Sequence, residues 1–191
     1  EHAKHKGKSN VVFLDVGFQP KTSVPVARLK YNGNWNPEPG GWDQMRAILR
    51  NKLALDRKTS VDLKVQEVEL GTGSLEGFKL AHLTGTDAVT LDKKAVDQLR
   101  SFVNSGGLLV IDAAGGNSAF KSSIEKQLIT IWPEAVNNGG EFLPSEHPIF
   151  RPVGGEKFEV NYRAYAVLQI TGTLSDPRLR GIKVNGRLGV I

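Results

Sequence analysis

Two side chains in this 191-residue chain combine reactivity with a position able to use it, Asp112 and His147. Asp112 ends the apolar run Leu108-Leu109-Val110-Ile111. A carboxylate there can act on a substrate, accept from a ligand hydroxyl, or cap the next turn. His147 lies in His147-Pro148-Ile149-Phe150, where an imidazole can serve as base, ligand or hydrogen-bond donor, or can pin a loop that Pro148 holds extended. As acid and base the two would suit hydrolysis. His82 interrupts the apolar run Phe78–Leu83 and reads as a satisfied core or edge residue. The histidines and Asp112 lack His-x-His or His-Glu-x-x-His spacing, so neither a metal nor another cofactor is expected. Gly115-Gly116-Asn117-Ser118 offers backbone N–H groups to an anion, but it is neither a phosphate loop of Walker type nor a dinucleotide fingerprint. Trp35 and Trp42 flank the stretch Pro39-Gly40-Gly41; Trp42 is expected to pack, and Trp35 either packs or stacks on a ligand.

Positioning these groups falls to the stretch from Thr90 to Ser118. Leu91, Ala95, Leu99, Phe102 and Val103 recur at helical spacing, opposite Lys93, Lys94, Asp97 and Arg100, which predicts an amphipathic helix. Thr90 is expected to cap it, Asp92 to sit in its first turn, and Gly106-Gly107 to end it with a positive φ. The unalternated apolar run that follows predicts a strand covered on both faces, as in a parallel sheet. Ligands of such sheets bind beyond the carboxyl ends of the strands. Thr84, Gly85, Asp112, Gly115, Gly116, Asn117 and Trp35 are therefore the expected ligand-binding residues.

The fold class this predicts is α/β, with Val26–Tyr31, Val61–Val65, Phe78–Leu83 and Leu108–Ile111 in a three-layer, mainly parallel sheet. Trp42, Met45, Ile48, Leu49 and Leu53 predict a first helix, and Phe120, Ile124, Leu128 and Ile131 a later one capped by Asn117 or Ser118 and closed by Pro133. Val68 and Leu70 fall out of phase with Val61, Leu63 and Val65, which predicts a break in that strand. Residues 138–152 are expected to wander as a long loop, and 160–171 to be extended. Gly181–Val184, Asn185-Gly186 and Arg187–Ile191 predict a hairpin, because Asn-Gly supplies the positive φ angles of a two-residue turn.

Composition bounds the rest. The length suits one domain over residues 11–191, and residues 1–10 read as a flexible basic tail. With 39% hydrophobic and 24% charged residues and no long apolar run, the chain is a globular one without a membrane span. The net charge is +5, yet the basic residues are spread out apart from the two ends, which read as solvated; nucleic acid is not an expected partner. The chain has no cysteine, which excludes disulfides, thiolate metal sites and a cysteine nucleophile. It begins with Glu rather than Met and stops inside a strand, so a lost targeting segment and a C-terminal continuation are both expected.

An ordered set of segments carries a resemblance: Val26-Ala27-Arg28-Leu29-Lys30-Tyr31-x-Gly-x-Trp35-Asn36, Leu83-Thr84-Gly85, Leu99-Arg100-x-Phe102-Val103-x-x-Gly106-Gly107-x-Leu109-x-Ile111-Asp112, Trp132-Pro133-Glu134, His147-Pro148-Ile149-Phe150 and Gly186-Arg187. Together these resemble a bacterial domain-of-unknown-function family, 4159, similar in fold to class I glutamine amidotransferases and to the trehalose-utilisation group. The resemblance implies a flavodoxin-like sheet, and an exported or periplasmic setting. In the amidotransferases a cysteine nucleophile occupies the elbow after the glycine pair, with a His-x-Glu partner. Here Ala113 stands at that elbow and Ile149 where the acid belongs, so glutamine hydrolysis by this route is excluded. Two functions follow as expectations. One is a noncatalytic domain that binds a small molecule, such as a sugar or cell-envelope component, or a protein partner. The alternative is a hydrolase acting on a carbohydrate-like substrate through Asp112 and His147.

Overall fold

A computed structural model describes residues 20–52, 61–133, 140–151 and 177–191, with 160, 162, 164, 167 and 168 between the last two segments. In chain order the elements are β1 (Thr22–Lys30), α1 (Gly41–Ala47) running into a π-helical turn (Ile48–Lys52), β2 (Val61–Glu69), β3 (Leu80–Gly85), α2 (Lys93–Asn104), β4 (Leu108–Ala113), α3 (Ser118–Ile131), β5 (Glu141–Phe142), β6 (Arg180–Val184) and β7 (Arg187–Val190). The strands form one seven-stranded sheet in the order β2-β1-β3-β4-β7-β6-β5. Strands β2, β1, β3, β4 and β7 pair in parallel, while β6 is antiparallel to both β7 and β5. The molecule is thus mixed α/β, and the basic tail, Val11–Leu14, Leu53 and more than half of the 160–171 stretch lie outside the described residues.

The principal core lies between one sheet face and helices α2 and α3. Ala27, Leu29, Ala81, Leu83 and Leu109 are fully buried there against Leu99, Phe102 and Val103 of α2 and Phe120, Ile124, Leu128 and Ile131 of α3. Both helices bury the stripes their sequences predict. Arg100 joins them, its Nε donating to the Ile131 carbonyl at 3.2 Å.

Helix α2 starts two residues later than expected. Asp92, not Thr90, is its N-cap, with a carboxylate oxygen accepting from the Ala95 N–H at 2.8 Å. A carboxylate satisfies a free N–H and also faces the positive end of the helix dipole, so it outcompetes a hydroxyl. At the other end the Gly106 N–H donates to Val103 and the Gly107 N–H to Phe102. These paired bonds close a Schellman motif, which needs the φ of +110° found at Gly106.

Several other expectations are corrected. Strand β2 is unbroken, in continuous register with β1 from Thr22–Val61 to Lys30–Glu69. Its hydrophobic phase changes because Leu63 and Val68 are buried on opposite faces. Met45 is 47% exposed, so the apolar stripe of α1 does not run to its outer face. Part of the long-loop region instead forms β5 and a 3₁₀ turn at Pro148–Phe150. The hairpin is present, with Asn185 at φ +52° and Gly186 at φ +77°, but its arginines are not freely solvated. Arg187 donates through Nη2 to the Val103 and Gly107 carbonyls at the end of α2, and Arg180 pairs with Glu125 at 3.5 Å.

At the sheet edge, Asp62 is 1% exposed and gathers Arg46 at 2.6 Å, Lys64 at 2.7 Å and Arg50 at 3.8 Å. The Arg46 hydrogen bond, aided by Lys64, lowers the Asp62 carboxyl from 3.8 to about 2. Stability from this cluster is therefore complete above pH 3.8 and lost as pH falls toward 2. Asp62→Asn should destabilise the protein by about 3 kcal/mol in neutral denaturant titrations and remove that acid limb; a variant as stable as the parent would show that the cluster does not anchor α1. Gly106→Ala should cost about 1 kcal/mol, since nothing lies within 4 Å of an added Cβ and only backbone conformation opposes it. An unchanged thermal midpoint would refute that origin.

Candidate functional site

Parallel pairing places matched residues on the same sheet face. Arg28 pairs with His82 across β1 and β3, and Thr84 pairs with Asp112 across β3 and β4. His82 and Thr84 are two residues apart in one strand, so all four share a face, opposite the principal core. They cluster near the carboxyl ends of their strands, where β1 has β2 on one side and β3 on the other. That is the position at which open α/β sheets bind ligands.

A cavity of about 160 Å³ opens there, with Arg28, His82, Thr84 and Asp112 in its sheet wall and Trp42 and Met45 of α1 opposite, joined by Glu38 and Ala114. Trp42, expected to pack, is half-buried at this wall and packs on His82. Its indole N–H donates to His82 Nδ1 at 3.1 Å, with the rings edge to face at 5.2 Å. An acceptor at Nδ1 assigns the imidazole proton to Nε2. Burial, with the Arg28 charge adding to it, pushes His82 from 6.5 down to about 4, so the ring is neutral across physiological pH.

Arg28 is only 7% exposed. One Nη makes a long 3.4 Å hydrogen bond to the Glu38 carbonyl, its Nε is buried without an acceptor, and the Trp35 ring lies 5.4 Å from the guanidinium carbon. Asp112 is exposed, and among the described residues its carboxylate has no ion pair.

Of the residues expected to bind ligand, only Thr84 and Asp112 line this cavity. Gly85 is in strand β3 rather than a loop, and an added Cβ there would meet the Tyr31 hydroxyl and come within 2.6 Å of Phe120. Its role is close packing. The Tyr31 hydroxyl donates to the Thr84 carbonyl at 3.0 Å, fixing the strand end. Gly115 and Gly116 form an exposed turn with φ of +64° and +73°. The Asn117 side chain is occupied as the α3 cap, accepting from the Ala119 and Phe120 N–H groups. Trp35 is not in the cavity wall; its ring lies 5.4 Å from the Arg28 guanidinium carbon and 5.2 Å from Lys30 Nζ.

His147 is not in the wall of this cavity; its Nδ1 accepts from the Ile149 N–H at 3.2 Å, capping the 3₁₀ turn. A larger depression of about 290 Å³ lies beyond Asp112, between α3 and the hairpin. Its arginines are already engaged, Arg180 with Glu125 and both Arg178 and Arg180 with the Phe142 ring at 4.9 Å. Among the described residues no group of three or more His, Asp or Glu side chains could hold a metal ion, and no helix is long and apolar enough to cross a membrane.

The sequence pattern presents His82 as a satisfied core or edge residue and assigns Arg28 no site role, although each interrupts an apolar strand at a central position. Those interruptions were the available signal, and only the strand register shows that they adjoin. Residues 25–191 match a family described as "Domain of unknown function (DUF4159)". No curated protein matches the chain.

The His82 ring should titrate near pH 4 by NMR, and Arg28→Gln should raise that value without restoring 6.5, because burial is the larger cause. Between those values the unfolded chain holds more protons, so His82 lowers stability as pH falls from 6.5 to about 4. Titration at 6.5 would place the ring in solvent.

Proposed function

We propose that this chain, which belongs to the DUF4159 family, is a noncatalytic ligand-binding domain of class I amidotransferase-like, flavodoxin-like build. Its ligand is a sugar or a sugar-bearing cell-envelope component. The observation that carries the reading is the convergence of Arg28, His82, Thr84 and Asp112 with Trp42 on one small cavity. An aromatic wall and several hydrogen-bonding side chains suit a ring that carries hydroxyls. The parallel order β2-β1-β3-β4-β7 supports the flavodoxin-like arrangement, in which a ligand sits between β1 and β3.

Chemistry at the elbow favours binding over turnover. The chain has no cysteine, and Ala113 has an ordinary extended backbone at φ −82° and ψ 95° rather than the strained turn that presents a nucleophile. The alternative hydrolase has less support, because Asp112 lines the cavity while His147 does not, and a general acid and base must both reach the bond they act on.

Calorimetric titration with a panel of monosaccharides, neutral and acidic, and soluble envelope fragments tests this. Saturable binding is expected for at least one ligand, weakened about tenfold by Asp112→Asn through loss of a charged hydrogen-bond acceptor. The bound ligand should be recovered intact. Absence of saturable binding across the panel, or release of a product, would overturn the proposal.

A further inference from the structure

Among the described residues two arginines are each 7% exposed, and they are treated differently. Arg50 faces the Asp62 carboxylate at 3.8 Å. Arg28 has no carboxylate within 4.0 Å among the described residues, although Glu38 and Asp112 line the same cavity. A buried cation needs a counter-charge and acceptors for its N–H groups. Here the protein offers one long carbonyl contact, an orphaned Nε and an aromatic ring. The guanidinium presents a planar fork of donors that matches a carboxylate in two-point fashion.

Resting on the reading of this cavity as a sugar site, we propose that its ligand carries a carboxylate that pairs with Arg28 while its hydroxyls meet Thr84 and Asp112, making it a sugar acid of uronate type. The size of the cavity, about 160 Å³, is below that of pockets for drug-sized ligands and suits a single ring. A singly charged carboxylate fits better than a phosphate dianion, because Glu38 and Asp112 add negative charge to the same walls. The ligand is thus anionic at one end and a hydroxyl donor at the other.

Calorimetry with D-glucuronate, D-glucuronamide and D-glucose separates charge from shape. Glucuronate should bind about tenfold more tightly than its amide or glucose, with an affinity that falls as salt is raised. Arg28→Gln should abolish the preference for glucuronate over its amide and glucose, and Arg28→Lys should retain part of it. The comparison of acid with amide in the parent protein stands even if neither variant folds. Equal binding of the three ligands, or a preference that survives Arg28→Gln, overturns the sugar-acid assignment and leaves the sugar-site reading intact. Binding of none of them overturns the assignment, and the sugar-site reading falls with it only if the wider panel is also silent.

Discussion

The register among β1, β3 and β4 is the constraint on which everything else depends. With Arg28 beside His82 and Thr84 beside Asp112, four polar groups share one face while Ala27, Leu29, Ala81, Leu83 and Leu109 share the other. A slip of one residue in β3 would send His82 and Thr84 into the apolar core and expose Ala81 and Leu83. The burial of the α2 and α3 side therefore enforces the polar cluster on the opposite side. The site does not require its own folding energy to be assembled; it is held by the hydrophobic layer behind it.

That layer is pinned at its ends by small, local devices. The Schellman turn at Gly106 and Gly107 leads α2 directly into β4, and Arg187 joins the final hairpin to the same turn through the Val103 and Gly107 carbonyls. At the site end, Gly85 lets Tyr31 and Phe120 approach closely enough for the Tyr31 hydroxyl to hold the Thr84 carbonyl. A glycine that looked like a ligand-facing loop residue is a packing residue whose effect on the cavity passes through Tyr31.

Electrostatics divides the molecule in the same way. Asp62 is surrounded by Arg46, Lys64 and Arg50 at the edge strand, an arrangement that ties α1 and its π turn to β2. Across α1, Arg28 keeps its charge in the cavity wall without such a partner, and its field helps to keep His82 neutral. One face of the helix thus serves a closed charge cluster, and another serves an open one.

Helical periodicity, the alternation of buried and exposed positions and the turn chemistry of Gly106 and Asn185-Gly186 are local properties, and from them the sequence alone determined the α2, β4 and α3 segments, the closing hairpin and the mainly parallel character of the sheet. The cap at Asp92 was misplaced by two residues because Thr90 and Asp92 are both competent caps and only the Ala95 hydrogen bond distinguishes them. Thr84 and Asp112 were legible because each ends an apolar run. Arg28, His82 and Trp42 were not, since their significance arises from lateral neighbours distant in the chain: Arg28 and His82 meet through strand register, and Trp42 reaches His82 through the placement of α1. Tertiary structure alone decided that His147 caps its own turn, because one histidine in a loop has the same sequence signature whether its ring nitrogen faces a ligand or the next backbone N–H.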